Sequence, residues 1–459
     1  MNKLFGARNV GIVLLSLATL GIVHAQGSGL MSSTAPVDTT TLTSKAQSEF
    51  NGLKADARNL KVTPGRLDAL AFTGNIVSLV LGGKTIRLVK QYSTTAPDGG
   101  LTWAGQQDAY NSGVFYIKDG KISGTVNTRD GVFQIAPLEG DTHAIIQLDM
   151  RQSQPKDDTG ETPAGTPGEK ASSSDGKGES AASMLNSNIA AAAANPSVRI
   201  LVAYSAHASA ALGSQLMPQI NLAIAQINQA NINSNVTFRA VLAGTIQVAY
   251  TGPYNVDATL AAFRQMPDVL SAHDSQQADL MVMLEAVPAT LESGAAAGIN
   301  VTAGNAYAVV STGYMTSNLS FAHEVGHLMG ADHPQADTNQ NVFRFGHGGW
   351  RWTVYSILSP AADCAHTIMS YAVAQSNGVQ PWSGNVLPSC SRDPRVAYWS
   401  SPTIYANTGS GAPIVLGGPD NDNARVLNIT GPVVTNFHNT QLGPKKGTNP
   451  PGCGRACSG

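Results

Sequence analysis

Residues His323-Glu324-Val325-Gly326-His327-Leu328-Met329-Gly330-Ala331-Asp332-His333 hold three imidazoles, two carboxylates and two glycines at spacings that restrict the chain around them. His323 and His327 lie four residues apart, so on a helix they share one face and both can reach a single cation at about 2.0–2.1 Å. Glu324 follows the first histidine and is angularly offset from it, so it can face a water on the cation rather than the cation itself, as a general base must. A straight helix cannot deliver a third histidine six residues past His327. Gly330 stands where the chain has to turn, because glycine accepts the left-handed backbone. His333 then completes three ligands and leaves a fourth position for water, the open coordination of a catalytic zinc rather than the closed set of a structural one. The rival reading, a secreted binding or adhesion module that keeps zinc for structure, has no use for Glu324 beside the ligands.

A bare pair of histidines four residues apart is weak evidence, but the extended string matches by chance only on the order of once in ten thousand chains of this length. The string resembles the zinc signature of the metzincins, and Thr367-Ile368-Met369-Ser370-Tyr371 resembles their Met-turn. The resemblance covers about residues 197–439, including Tyr398-Trp399-Ser400-Ser401-Pro402, and is closest in kind to bacterial reprolysin-like enzymes and the peptidyl-Asp metalloendopeptidase group. It implies an α/β metzincin-type domain with a twisted, mostly parallel mixed sheet above a zinc-binding helix, and endopeptidase activity on protein and peptide substrates. It implies Met369 as an apolar floor below one catalytic zinc and Tyr371 as a group that stabilises the transition-state oxyanion. It also implies an edge strand near Ala295 to Val301 that pairs with extended substrate. Pro334 departs from the family pattern, since adamalysin-type members carry Asp after the third histidine. Arg344, Arg351, Arg392 and Arg395 lie in the stretch that in metzincins walls the pocket for the residue after the scissile bond. Arg395 is the candidate to select Asp or Glu there through a bidentate contact.

The chain around this string divides by composition. Met1 to Gly27 carries Lys3 and Arg8, an apolar stretch from Val10 to Val23, and Val23-His24-Ala25 with small residues where a signal peptidase cuts. That stretch is shorter than the about 20 residues a membrane span needs, so residues 1–25 are expected to be a cleaved signal and the protein to be secreted. Residues 26–64 are polar and read as helical or loose chain. From Leu67 short apolar runs alternate with turn residues, and Lys118-Asp119-Gly120-Lys121 is a hairpin signal. Residues 26–150 are therefore expected to form a small β-rich propeptide that assists folding and inhibits the enzyme within the same chain. It contains no cysteine, which excludes latency through a thiolate on the metal. Residues 151–196 are rich in Gly, Ser, Ala and Pro and read as a linker where activation cleavage occurs.

Residues 197–440 read as alternating strands and helices: a strand at 198–204, a helix at 215–231, strands at 236–250 and 279–284, a helix at 256–265, and short strands at 294–301 and 306–312. Thr316-Ser317-Asn318 offers N-caps for a helix from Leu319 to Met329, and a terminal helix is expected around Asn421 to Phe437. Residues 441–459 form a Gly/Pro/Cys tail.

Charged residues make up 13% of the chain, well below the about 25% of an average soluble domain, and the net charge is −2. Neither supplies an electrostatic reason to expect nucleic acid or an anionic membrane as partner, and a monomer is expected. Cys364, Cys390, Cys453 and Cys457 allow three pairings, of which Cys364 with Cys390 and Cys453 with Cys457 is the expected one. His347 and His366 are set aside because the ligand set is complete without them. Asp337-Thr338-Asn339-Gln340-Asn341 is oxygen-rich and a weak candidate for calcium, its spacing missing that of an EF-hand loop.

Overall fold

Strict alternation organises the first half of the chain. In the strand Ile76–Leu81 (β2), Val77, Leu79 and Leu81 are buried and the residues between them are half-buried, the period-two pattern of a sheet with one face on a core. The computed structural model describes residues 37–149, 196–252, 255–286, 293–334, 343–354, 362–370, 395–407 and 413–443, with side chains left aside at 350–354 and 362–365. The signal segment, residues 151–195 of the linker and residues 444–459 of the tail lie outside these residues.

After a helix at Ser44–Ala55 (α1) come Asn59–Arg66 (β1), β2, Lys84–Thr95 (β3), Leu101–Gln106 (β4), Ser112–Lys118 (β5), Lys121–Thr128 (β6), Gly131–Glu139 (β7) and Thr142–Leu148 (β8). They form one eight-stranded antiparallel sheet in the order β1-β8-β7-β6-β5-β4-β3-β2. The β5–β6 turn places Asp119 at φ 50° and Gly120 at φ 74°, the two left-handed residues of the tight hairpin that Asp-Gly specifies. Phe72, Trp103 and Phe115 form an aromatic cluster in its core, with ring centroids 4.7–5.9 Å apart. Residues 59–64, expected to be helical or loose, are strand. Their side chains are mostly half-exposed or exposed, so pairing with β8, not alternation, makes them β.

The second half is a mixed five-stranded sheet built from Ser197–Tyr204 (β9), Arg239–Gln247 (β10), Leu280–Glu285 (β11), Gly294–Ala296 (β12) and Tyr307–Ser311 (β13), in the order β10-β9-β11-β13-β12. All neighbours are parallel except β12, which runs antiparallel to β13 on the edge. Central β11 is buried throughout, as a strand covered on both faces must be. Between the strands lie Ala206–Leu212 (α2), Leu216–Asn233 (α3), Val256–Phe263 (α4) and Pro267–Gln276 (α5). Helix α5 is not among the elements expected from the sequence; Pro267 stands in its first turn, where its missing N–H costs nothing. Ser320–Leu328 (α6) contacts β12, β13 and α3. Backbone pairs at Trp350–Val354 with Ala362–His366 (β14, β15) and Tyr405–Ala406 with Ile414–Val415 (β16, β17) follow, and Asn423–Val434 (α7) closes the chain.

Helix α3 is shared by the two halves. Ile220, Ala223 and Ile227 join the core of the five-stranded sheet. Leu222 and Ala225 pack instead with Ala96, Ala104, Val114 and Tyr116 of the eight-stranded sheet. Among the described residues no helix is long and apolar enough to cross a membrane.

Candidate metal centre and active site

Helix α6 starts without a side-chain cap. Leu319 takes the left-handed conformation at φ 56° as its N-cap. The expected caps are engaged elsewhere: Thr316 Oγ1 donates to Gln219 Oε1 at 2.6 Å, Ser317 Oγ to the Gly313 carbonyl at 2.9 Å, and Asn318 Nδ2 to Ser320 Oγ at 3.4 Å. The far end is a Schellman turn. Gly330, at φ 102°, donates to the His327 carbonyl at 2.9 Å, and Ala331 donates to the Gly326 carbonyl at 2.9 Å. Asn300 and Val301 satisfy the carbonyls of His327 and Leu328 at 3.0 and 3.1 Å. Only residues 294–296 of the expected edge strand are therefore β; 300 and 301 cap the helix instead.

The Nε2 atoms of His323, His327 and His333 form a triangle with sides of 3.0, 3.1 and 3.0 Å. Nδ1 of His323 donates to the Ile368 carbonyl at 2.9 Å and Nδ1 of His327 to the Ala331 carbonyl at 3.0 Å. A carbonyl only accepts, so both rings carry their proton on Nδ1 and present a lone pair at Nε2. Lone pairs at this separation repel unless a cation lies among them, and these donors fit one: three neutral imidazole nitrogens, pointed inward, with the opposite nitrogens of His323 and His327 held by carbonyls. Burial, foremost, keeps all three rings in the neutral, ligating form. His327 is pushed down to about 4 against the pull of Asp332, and His323 and His333 lie well below the usual histidine range, with Arg395 among the lesser causes.

Several residues fix this triangle that the sequence reading did not choose. Asp332 Oδ1 accepts from the His333 amide at 2.7 Å, and Asn423, the first residue of α7, bonds the Asp332 amide and carbonyl at 3.2 Å each. His347, set aside from sequence, donates from Nδ1 to the His333 carbonyl at 2.9 Å. Its own carbonyl accepts from Ser400 Oγ at 2.6 Å. Nothing in the sequence marks His347, since its partner is a main-chain atom. Met369 and Trp399 press on α6 between the two helix histidines: a Cβ at Gly326 would lie 2.9 Å from Met369 Sδ and 3.0 Å from the Trp399 ring. Glu324 is buried with its carboxylate over the edge strand, where a Cβ at Gly294 would come within 2.7 Å of Oε1. Gly294 thus makes the space that the carboxylate occupies.

Arg395 is 4% exposed, and its Nε and Nη1 donate to the Ser370 and Asn318 carbonyls at 3.1 Å each. A guanidinium buried and committed to main chain on this side of the Met-turn is a clamp between that turn and the start of α6, which argues against its expected role as reader of an acidic substrate residue. Arg344 is exposed. Arg392, the side chain of Arg351, Tyr371, the 337–341 segment and the side chains of all four cysteines lie outside the described residues.

A buried three-histidine centre at the end of a helix, with a carboxylate between the first two and a sheet edge alongside, defines a metallopeptidase site. Residues 194–383 match the family model of metallo-peptidase family M12, reprolysin type. The match spans less than half of the chain, and together with the relatives that follow it makes the chain a zinc metalloendopeptidase. More particularly, it is similar over most of its length to bacterial peptidyl-Asp metalloendopeptidases. It is 28% identical over 404 residues to that of Stenotrophomonas maltophilia, covering 81% of this chain and 85% of the relative. It is 26% identical over 397 residues to that of Xanthomonas campestris pv. campestris, covering 81% and 84%, and 28% identical over 219 residues to that of Pseudomonas fragi, covering 46% and 98%. Among solved structures, metalloproteinase-II from Bacteroides fragilis aligns at a TM-score of 0.35 and 12% identity, over 56% of this chain and 81% of that one.

Proposed function

We propose that the protein is an exported endopeptidase that uses one zinc ion held by His323, His327 and His333 to hydrolyse peptide bonds of extracellular proteins. The observation that carries this reading is the inward triangle of Nε2 atoms, 3.0–3.1 Å on a side, with Glu324 buried beside it. When bound, zinc acts as a Lewis acid that polarises a substrate carbonyl and brings the pKa of water toward neutrality. Glu324 takes the proton of the attacking water and returns it to the leaving amine. Edge strand β12 aligns an extended substrate by main-chain hydrogen bonds across this carboxylate. Met369 keeps the floor apolar, and Tyr371 donates to the oxyanion.

Export rests on Lys3, Arg8 and the apolar stretch Val10 to Val23. A preference for cleavage before Asp or Glu completes the reading; its Asp part is supported by the relatives' name. Residues 26–150 act as a propeptide released from covalent linkage by cleavage within 151–196. Their packing on α3 supports the folding-assisting part of that role; equal activity of intact and cut protein would remove the inhibitory part.

Casein hydrolysis tests the reading. Activity should vanish on chelation, return with zinc and be absent in Glu324→Ala. A protein that binds zinc but hydrolyses nothing in any form would sink it, and a peptide library cut without regard to acidic residues would remove the specificity.

A further inference from the structure

Of the three histidines, His333 alone lies beyond helix α6, and the turn that carries it is held from the C-terminal end of the chain. Asn423 and Val426 stand three residues apart on α7 and so share one face, which meets that turn. The Asp332 amide donates to Asn423 Oδ1 and Asn423 Nδ2 donates to the Asp332 carbonyl, each at 3.2 Å. Val426 closes on the turn itself, since a Cβ at Gly330 would lie 3.1 Å from its Cγ1. The residues before α7 fix its approach: the Asp422 amide donates to the Phe345 carbonyl at 2.7 Å and Asn421 Nδ2 to the Gly348 carbonyl at 2.7 Å. The same 345–348 stretch bonds Asp332, whose amide donates to the Gly346 carbonyl at 3.0 Å and whose carbonyl accepts from the Gly348 amide at 2.7 Å.

A ring of hydrogen bonds closes through two further side chains. The Asn423 amide donates to Ser400 Oγ at 3.0 Å, Ser400 Oγ donates to the His347 carbonyl at 2.6 Å, and His347 Nδ1 donates to the His333 carbonyl at 2.9 Å. From His333 the main chain returns to Asp332 and so to Asn423. Every member is buried, so water cannot stand in for a lost partner, and removing one leaves the next short of a bond. Helix pitch sets His323 and His327 relative to each other, but it does not reach His333. Gly330 turns the chain at φ 102°, and glycine by itself enforces no direction there.

We propose that Asn423 and Ser400 are positioning residues for the metal: α7 and the ring it closes hold His333 Nε2 at the third corner of the triangle. The zinc helix supplies two corners, and the C-terminal helix locks the third. The proposal rests on the reading of the three histidines as metal ligands but not on the substrate. No residue of the N-terminal sheet belongs to the ring, so the catalytic half carries the whole device.

The test measures zinc affinity of the full chain against a chromogenic chelator, together with the visible spectrum of the cobalt-substituted protein, which reports coordination geometry. Asn423→Ala should weaken zinc binding by about tenfold or more and alter the cobalt bands, and Ser400→Ala should do the same to a smaller extent. His347→Ala combined with Ser400→Ala should cost little more than the larger of the two alone, because both open one ring. Leu427→Ala is the control: it removes a buried side chain of the same helix that packs into the five-stranded sheet's core. It should lower the unfolding temperature and leave both metal readouts as they were. A folded Asn423→Ala protein with unchanged zinc affinity and cobalt bands overturns the proposal, as does a Leu427→Ala protein that loses zinc affinity equally. If Asn423→Ala does not fold, Ser400→Ala decides, and unchanged readouts there overturn it. Neither readout needs substrate, so a protein that behaves as expected but fails to cleave casein would count against the endopeptidase reading and leave this one standing.

Discussion

The two halves of the molecule bury different chemistry. The eight-stranded sheet closes over an apolar layer in which Phe72, Trp103 and Phe115 meet edge to face, and its one described histidine, His143, accepts from the Ile122 amide at 3.1 Å. The catalytic half buries His323, Glu324, His327, Asp332, His333, His347, His366 and Arg395. Apolar packing needs nothing from outside the chain, whereas a cluster of buried polar groups is costly until every member has its partner. The first half should therefore be stable on its own terms, and the second should depend on its ligand and on the residues that aim the imidazoles.

The sharpest division between the halves is functional. Glu324→Gln keeps the size of the side chain but removes its basicity, so kcat should fall by about 10²–10⁴-fold, with zinc content and thermal unfolding unchanged. A variant that retains activity within tenfold would assign the base elsewhere. Phe115→Ala attacks the other half, taking away a ring 4.7 Å from Phe72, and should cost about 3–5 kcal/mol in denaturant unfolding. If the halves are coupled through residues 396–399, whose side chains join the core of the five-stranded sheet on one side and Ala109 and Tyr110 on the other, zinc release should move to lower denaturant together with the loss of the sheet. A zinc transition that stays put would show them to be independent. His347→Ala should be milder: it leaves all three ligands but frees the His333 carbonyl. Zinc affinity should drop by about 10–100-fold, the usual effect of losing a group that orients a ligand, while kcat at saturating zinc stays within a few-fold.

The sequence made one side of this comparison readable and hid part of the other. Alternation in β2, the Asp119-Gly120 turn and the near-continuous apolar run of β9 each carry their geometry locally, so the sheets were legible. His323, His327, Gly330 and His333 were legible because helix pitch and a glycine turn fix their relations within eleven residues. β1 was missed because its side chains are half in water. The start of α6 was misread because Thr316 and Ser317 bond to Gln219 and Gly313, a tertiary choice that overrides their capping preference. His347, Trp399 and Gly294 act through main-chain atoms or through space they leave open, and neither mechanism imposes a spacing on the sequence. Arg395 was found by position, but its bonds to the Ser370 and Asn318 carbonyls could not be read from sequence, because main-chain partners impose no spacing.

The smallest expected effect concerns acid. Burial, then Arg395, pushes His366 down to about 3 from the ordinary 6.5. The unfolded chain takes up that proton near 6.5 and the folded one only near 3, so stability is intact above 6.5 and falls as the pH drops through the window, by about 1.4 kcal/mol per pH unit for each such group. His143 is also shifted down by burial and acts in the same direction on the other half. In zinc-stripped protein, His366→Gln should make the pH dependence of catalytic-half unfolding shallower by about one proton without changing that of the sheet, and His143→Gln should do the reverse. Hydrogen exchange followed separately in β2 to β8 and in β9 to β13 gives both slopes in one titration. If each substitution changed both slopes equally, the halves would be unfolding as one cooperative unit even without metal, and residues 396–399 would be coupling them more strongly than the zinc does.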